Sequence, residues 1–411
     1  MEILVLYIYK AGVVGAGSMG GGIAQVISYS GLPVVIKDIN EEKAKTGLEA
    51  AQKIYQSRVD KGKMTPDDMV KKMALISIAI DYTDFSDVDI VIEAVPENID
   101  IKKKVFKELG ESCPEATVLT SNTSALSISE LGSVTKKPDK VVGMHFFNPA
   151  HVMKLIEVIP GLQTSDETVD DVVSFSESLR KIPVRVNECA GFLVNRILMS
   201  YINEAFYALQ ESAASAKEID EAIVSFGMPM GPFTLVDMLG LDVADSVADI
   251  LYNSYGERMK PAALIKKIAA SGRLGTKSGK GIYNYSNEEK DDSFLENIIK
   301  KTQKETGVSN TEFSVHRLLL PMINEAAVSF QEGVSSLSDI DIAMLVGTGF
   351  PQDKGGPLHY ADAQGLDNIL KEMEKFSSTF GQRFWPVPIL KRYVAAGCLG
   401  VKAKKGFFDY L

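Results

Sequence analysis

The stretch Gly15-Ala16-Gly17-Ser18-Met19-Gly20 follows a short apolar segment at residues 12–14 and precedes a helical pattern over 22–30. A turn at Gly31 and a β-rich run over 33–37 follow, ending at Asp38. This spacing predicts a βαβ unit whose helix N-terminus faces phosphate. Gly15 permits the tight turn, Gly17 lets a pyrophosphate approach the backbone, and Gly20 lets the helix pack on the strand. Ser18 and Met19, inside the glycine turn, join these glycines as candidate cofactor contacts. Asp38 stands 18 residues after Gly20, where a carboxylate accepts from adenosine ribose hydroxyls and repels a 2′-phosphate. The expected cofactor is therefore NAD.

His145 and Glu157 lie 12 residues apart on two β-rich runs, 141–147 and 154–159, joined by a short loop containing Pro149. Neighbouring strands let them pair. A glutamate accepting one imidazole N–H sets the tautomer and stabilises the imidazolium formed when the other nitrogen takes a proton, which suits a base for alcohol oxidation by NAD. Without a nicotinamide fold, the same pair reads rather as a core histidine satisfied by a carboxylate. Two further strand ends offer polar groups: Pro96-Glu97-Asn98 after the apolar run 88–95, and Ser121-Asn122-Thr123-Ser124 after 118–120. Ligands of doubly wound sheets bind at the carboxyl ends of strands, so these groups point to one site.

Together with His145-Phe146-Phe147-Asn148-Pro149, Lys154-Leu155-Ile156-Glu157-Val158 and Gly191-Phe192-x-x-Asn195-Arg196, these motifs resemble the L-3-hydroxyacyl-CoA dehydrogenase family along most of the chain. The resemblance implies an α/β fold: a Rossmann-type dinucleotide-binding domain followed by two tandem all-α domains. It implies His145 as general base, Glu157 as its orienting partner, and Ser124 and Asn195 as donors to the substrate oxygen that becomes a ketone. Asn148 would hold the nicotinamide end, Glu97 and Lys102 would lie along the nicotinamide ribose, and Lys277 would reach the cofactor from the second domain. The implied partner is an acyl-CoA. Its anionic end would meet the basic helical residues Lys53, Arg58, Lys61 and Lys63, with Arg58 the candidate substrate contact. A solvated helix face is the alternative reading of that patch, because Ala51 and Arg58 stand where the family usually has a serine and a lysine. The same scaffold also serves sugar-acid dehydrogenases and a non-enzymatic lens crystallin, and both readings stay open.

The elements that must hold these groups alternate between strand and helix in the first half. Residues 41–73 read as helical, with Pro66 breaking the run into two. The second half repeats itself. Asn195-Arg196 through Asn203-Glu204-Ala205 recur as His316-Arg317 through Asn324-Glu325-Ala326, and Ile219-Asp220 recur as Ile340-Asp341, all at an offset of 121. Beyond a four-residue insertion Gly231-Pro232, Asp237, Asp242 and Lys277 recur as Gly356-Pro357, Asp362, Asp367 and Lys402. The expected division is residues 1–187, 188–290 and 308–411, with a charged bridge over 288–304. The second copy, carrying His316 where the first has Asn195, reads as structural. It either pairs with the first inside a monomer or leaves a homodimer in place. Some relatives of this arrangement are fused to a hydratase module, which is not expected in this sequence.

Composition closes off other classes. With 44 Lys plus Arg against 54 Asp plus Glu the net charge is −10, which argues against a nucleic-acid partner. The four histidines and three cysteines have no metal-ligand spacing, so no metal is expected, and the odd, scattered thiols read as reduced. The apolar run 3–9 is too short for a bilayer span and reads as a strand rather than a signal. A cytoplasmic protein without a membrane partner is expected.

Overall fold

A computed structural model describes residues 7–285 and 293–411. The chain divides into two compact units at Phe192/Leu193. In the first unit the elements are β1 (Ala11–Val14), α1 (Ser18–Tyr29), β2 (Val34–Lys37), α2 (Glu41–Asp60), α3 (Pro66–Met73), β3 (Ile76–Ala79), β4 (Ile90–Glu93), α4 (Ile99–Ser112), β5 (Val118–Ser121), α5 (Ile128–Gly132), β6 (Val141–Phe146), β7 (Leu155–Pro160), α6 (Asp166–Ser178) and β8 (Ile182–Arg185). Among the described residues these strands form one eight-stranded sheet in the order β3-β2-β1-β4-β5-β6-β7-β8.

All neighbouring strands run parallel except β6 and β7, which are antiparallel. The parallel strands are short Val/Ile runs because helices cover both faces: Val34, Val35 and Ile36 of β2 and Ile90, Val91 and Ile92 of β4 are all buried. The strand order reverses between β2-β1 and β4, which opens the ligand crevice above the carboxyl end of β1. Helix boundaries follow local chemistry. Asn40 caps α2 by accepting from the Lys43 amide, with Glu41 and Glu42 in the first turn. The break at residue 66 is as expected, since Pro66 opens α3 behind a Thr65 cap.

The expected strand over residues 3–9 is not found where it can be checked. Residues 3–6 lie outside the described residues, and Tyr7 to Tyr9 carry no strand. Tyr7 and Tyr9 are largely exposed, and the sheet begins at Ala11, where β2 and β4 both supply partners.

The second unit is helical. Its first copy comprises α7 (Val194–Gln210), α8 (Ala216–Phe226), α9 (Pro232–Leu239), α10 (Leu241–Tyr255) and α11 (Ala263–Ala270). Next come α12 (Ser293–Thr306) and the second copy, α13 (Val315–Gln331), α14 (Leu337–Thr348), α15 (Pro357–Gln364), α16 (Leu366–Phe380) and α17 (Pro388–Ala395). The bridge expected over 288–304 is helical from Ser293 and docks on the first copy, with Lys267 Nζ donating to Thr302 at 3.0 Å and Gln303 to the Gln210 carbonyl at 3.0 Å. Residues 288–292 of that bridge lie outside the described residues.

Both copies lie within one compact unit, Leu193–Leu411. The physical reason is a reciprocal set of buried ion pairs. Arg196 of α7 donates through Nε to Glu325 of α13 at 2.6 Å, and Arg317 of α13 donates through Nε to Glu204 of α7 at 2.8 Å. Arg258 and Arg383 repeat the pattern from outside, reaching Glu325 and Glu204 at 3.2 and 2.6 Å. Such residues are stable in a core only when paired, so neither copy buries them satisfactorily alone.

Candidate active site at the carboxyl edge of the sheet

The glycine turn joins β1 to α1 as its sequence requires. Gly15 has φ +101°, and a Cβ on it would lie 2.5 Å from the Ala94 carbonyl oxygen; one on Gly20 would lie 1.8 Å from the Gly15 oxygen. No side chain fits at either position. A Cβ on Gly17 would meet nothing within 4 Å, so this side of the turn is open. It faces a groove of about 1020 Å³ lined by the turn, by Asp38 and Lys53, and by Val95 and Pro96 beyond β4. Ser18 and Met19, in the first turn of α1, line it too.

Asp38 follows β2 and ties the turn in place, accepting from the Ala16 amide at 2.7 Å and the Ile39 amide at 2.7 Å. A carboxylate has about four acceptor directions, so roughly two remain for hydroxyls. Open glycine backbone, a helix N-terminus and an anchored acid together fit the pyrophosphate and ribose of NAD.

The antiparallel register of β6 and β7 sets His145 directly opposite Glu157. Imidazole Nδ1 and Glu157 Oε2 are 2.7 Å apart. Glu157 is fully buried and His145 is 7% exposed. With Nδ1–H donated to the carboxylate, the free lone pair is on Nε2, and among the described residues no hydrogen bond occupies it. Phe147 and Phe192 flank the ring, at centroid distances of 4.6 and 6.1 Å.

Ser124 lies just beyond β5, the strand beside β6. Its amide and hydroxyl donate to Glu97 Oε1 at 2.8 and 3.1 Å, and Thr123 Oγ1 donates to the same oxygen at 2.7 Å. Burial pushes the Glu97 carboxyl up, but Lys102 and these hydrogen bonds outweigh it and hold the group below its ordinary value. A serine has one hydroxyl proton, and here it is given to an ionised acceptor. Ser124 Oγ therefore keeps only acceptor lone pairs for any further partner, whereas the resemblance implied a donor.

Lys102 is almost fully buried, with Nζ 2.7 Å from Glu93 Oε1, 3.2 Å from the Val95 oxygen and 3.4 Å from Glu97 Oε2. Asn148 is exposed in the turn after β6. Arg58 packs in the α2–α1 interface, its guanidinium 4.6 Å over the Tyr29 ring and Nη2 donating to the Tyr29 hydroxyl at 2.9 Å. Arg58, Lys61 and Lys63 form no ion pair among the described residues.

Asn195 and Lys277 belong to the helical unit. Asn195 sits in the first turn of α7. Lys277 Nζ is 2.5 Å from Asp242, and Lys402 repeats this pair with Asp367 at 2.5 Å. Since the second copy has the same bond, the repeat itself accounts for it. His316 is occupied on both nitrogens, by Glu372 at 2.8 Å and the Tyr360 hydroxyl at 2.9 Å. Among the described residues no group of His, Cys, Asp or Glu could hold a metal, and no helix is long and apolar enough to cross a membrane.

Sequence reasoning gave Glu93 no role and named Ser121 only among the polar groups at the end of its strand. Ser121 Oγ donates to Glu93 Oε2 at 2.6 Å, and both residues are buried at the end of the sheet. The signal was Glu93 itself, which with Asp89 interrupts the apolar run 88–95.

The sheet order, glycine turn and anchored acid define a Rossmann-type dinucleotide-binding unit. Residues 10–189 match the NAD binding domain of 3-hydroxyacyl-CoA dehydrogenase, and residues 191–285 and 313–410 each match the C-terminal domain of the same enzyme. The chain belongs to the 3-hydroxyacyl-CoA dehydrogenase family. It is 38% identical over 400 residues to the fatty acid oxidation complex subunit alpha of Psychrobacter arcticus, covering 95% of this chain and 55% of that protein. It is 36% identical over 403 residues to the peroxisomal fatty acid beta-oxidation multifunctional protein of Arabidopsis thaliana, again covering 95% and 55%. The chain thus spans about half the length of the curated relatives it matches. Among solved structures, 3-hydroxybutyryl-CoA dehydrogenase from Escherichia coli is similar with a TM-score of 0.86 at 30% identity, over 95% of this chain and 99% of that one. The (S)-3-hydroxybutyryl-CoA dehydrogenase of Ralstonia eutropha is 42% identical over 68% of this chain and all of that one, with a TM-score of 0.67.

Proposed function

We propose that this chain interconverts L-3-hydroxyacyl-CoA and 3-oxoacyl-CoA thioesters with NAD, with His145 as the general base. The observation that carries the reading is the His145–Glu157 pair, 2.7 Å apart and nearly buried at the strand end, with Nε2 left for a substrate hydroxyl. NAD, when bound, supplies the hydride acceptor. His145 Nε2 takes the hydroxyl proton, and Glu157 stabilises the imidazolium that results. Ser124 Oγ orients the alcohol. By the resemblance alone, Asn195 is a further donor to the substrate oxygen, and Asn148, Glu97 and Lys277 serve the cofactor; the basic patch of Lys53, Arg58, Lys61 and Lys63 meets the phosphates of coenzyme A. Lys102 acts through Glu97, because its buried ammonium is already held by hydrogen bonds to Glu93 and the Val95 oxygen and by its ion pair with Glu97.

The test is turnover of acetoacetyl-CoA with NADH beside turnover of L-gulonate with NAD. Activity on the thioester is expected. Activity on the sugar acid alone would replace this reading with the sugar-acid one, and absence of both would leave the crystallin-like reading.

A further inference from the structure

Glu93 ends β4 after Ile90, Val91 and Ile92, at a fully buried position where an apolar residue would complete the strand. Burying a carboxylate there is costly unless every lone pair has a purpose. Glu93 takes the Val95 amide at 2.6 Å, Ser121 Oγ at 2.6 Å and Lys102 Nζ at 2.7 Å. The Lys102 ammonium also donates to the Val95 oxygen at 3.2 Å and pairs with Glu97 Oε2 across 3.4 Å. Glu97 in turn holds both the amide and the hydroxyl of Ser124. A continuous chain of polar contacts thus runs from inside the sheet to the rim, and none of its inner members reaches the groove itself.

We propose that Glu93 is a positioning residue: from inside the sheet it sets Lys102, and through Lys102 it sets the rim carboxylate Glu97 that orders Ser124. The inference rests on the dehydrogenase reading above and adds a member to its site. Without the Glu93 charge, Lys102 retains Glu97 as its sole carboxylate partner. Its ammonium then shifts outward, and Glu97 turns from Ser124 towards it. Small displacements of this kind at a reacting centre are expensive in rate, because binding energy is no longer spent in the productive geometry.

The experiment is a double-mutant cycle on the full chain with Glu93→Gln, Lys102→Met and the pair, read by NADH fluorescence titration and by steady-state reduction of acetoacetyl-CoA per folded protein. We expect Glu93→Gln to weaken NADH binding and to lower kcat/KM by about ten- to a hundredfold. The double variant should be no worse than Lys102→Met, because residues acting through one another are not additive. Additive losses would overturn the proposal, as would a Glu93→Gln protein with wild-type binding and kinetics but a lowered melting temperature. Should Glu93→Gln not fold, Ser121→Ala carries the test: it loosens Glu93 without removing a charge and should shift both readouts the same way by less, and unchanged readouts would overturn the proposal. Wild-type protein that binds NADH but leaves acetoacetyl-CoA untouched would refute the substrate reading, and the NADH cycle would still decide the role of Glu93.

Discussion

Arg196 and Glu325 meet across the repeat, Nε to Oε1 at 2.6 Å, and both side chains are almost wholly removed from solvent. The symmetry-related pair, Arg317 with Glu204 at 2.8 Å, is equally buried. Residues at the same place in each copy thus exchange partners, as two subunits do across a two-fold interface. Here both partners lie in one chain.

Breaking that exchange should destabilise the helical unit. Arg317→Met takes one of two arginines from buried Glu204 and leaves Arg383 at 2.6 Å, so we expect a loss of about 3 kcal/mol, the lower end for removing one partner of a buried ion pair. Chemical denaturation of the variant against wild type measures it. A chain ending near Ser286 loses both arginines that hold Glu204, so it should aggregate or dimerise in size-exclusion chromatography; a stable, active monomer would show that the second copy is not a built-in partner.

For His145, replacement by Gln should spare NADH binding and lower kcat by about two to four orders of magnitude, the usual contribution of a general base. Glu157→Gln removes the imidazolium's counter-charge but keeps the shape, so a smaller loss with a shifted pH–rate profile is expected. Steady-state kinetics across pH would distinguish the two, and an unchanged Glu157→Gln profile would make that residue merely structural.

Cofactor choice should depend on the Asp38 charge. NADH should be preferred over NADPH, and Asp38→Asn should narrow the gap, because it removes the charge that repels a 2′-phosphate and keeps an oxygen for the Ala16 amide bonded at 2.7 Å. Asp38→Ala should narrow the gap as well but also raise KM for both cofactors, since it unties the turn. Equal efficiency of the two cofactors in the wild type would refute this account.

The second copy should also carry a pH response that the first lacks. His359 Nδ1 lies 2.7 Å from Asp341 Oδ2, while in the first copy Thr234 Oγ1 donates to the matching Asp220 at 2.7 Å. The Asp341 bond raises the His359 pKa above its ordinary value. A raised folded pKa means stabilisation that is full below about 6.5 and is lost as pH rises through the folded value. Denaturation midpoints from pH 6 to 8 should fall more in the wild type than in His359→Thr; parallel curves would show that this pair does not contribute.

His316→Ala should leave turnover nearly unchanged and lower the melting temperature, because both ring nitrogens are spent within the second copy on Glu372 and Tyr360. A large rate loss would assign it to a site beyond the one at His145.

Much of this protein was readable along the chain because its signals are local. The glycine turn, the acid after β2, the Pro66 break and the repeat offsets all follow from short-range spacing, and the His145–Glu157 pairing follows from two β-rich runs with a short connection. Long-range partner choice was not readable. Nothing at position 93 says that its carboxylate meets Lys102 on the next helix and Ser121 on the neighbouring strand, and nothing at Ser124 says that its proton goes to Glu97. The repeat made two helical copies visible, but only packing decided that Arg196 and Arg317 reach across to each other's copy. Periodicity reports which face of an element is apolar; a buried charge takes its meaning from whichever distant group the fold brings within hydrogen-bonding distance.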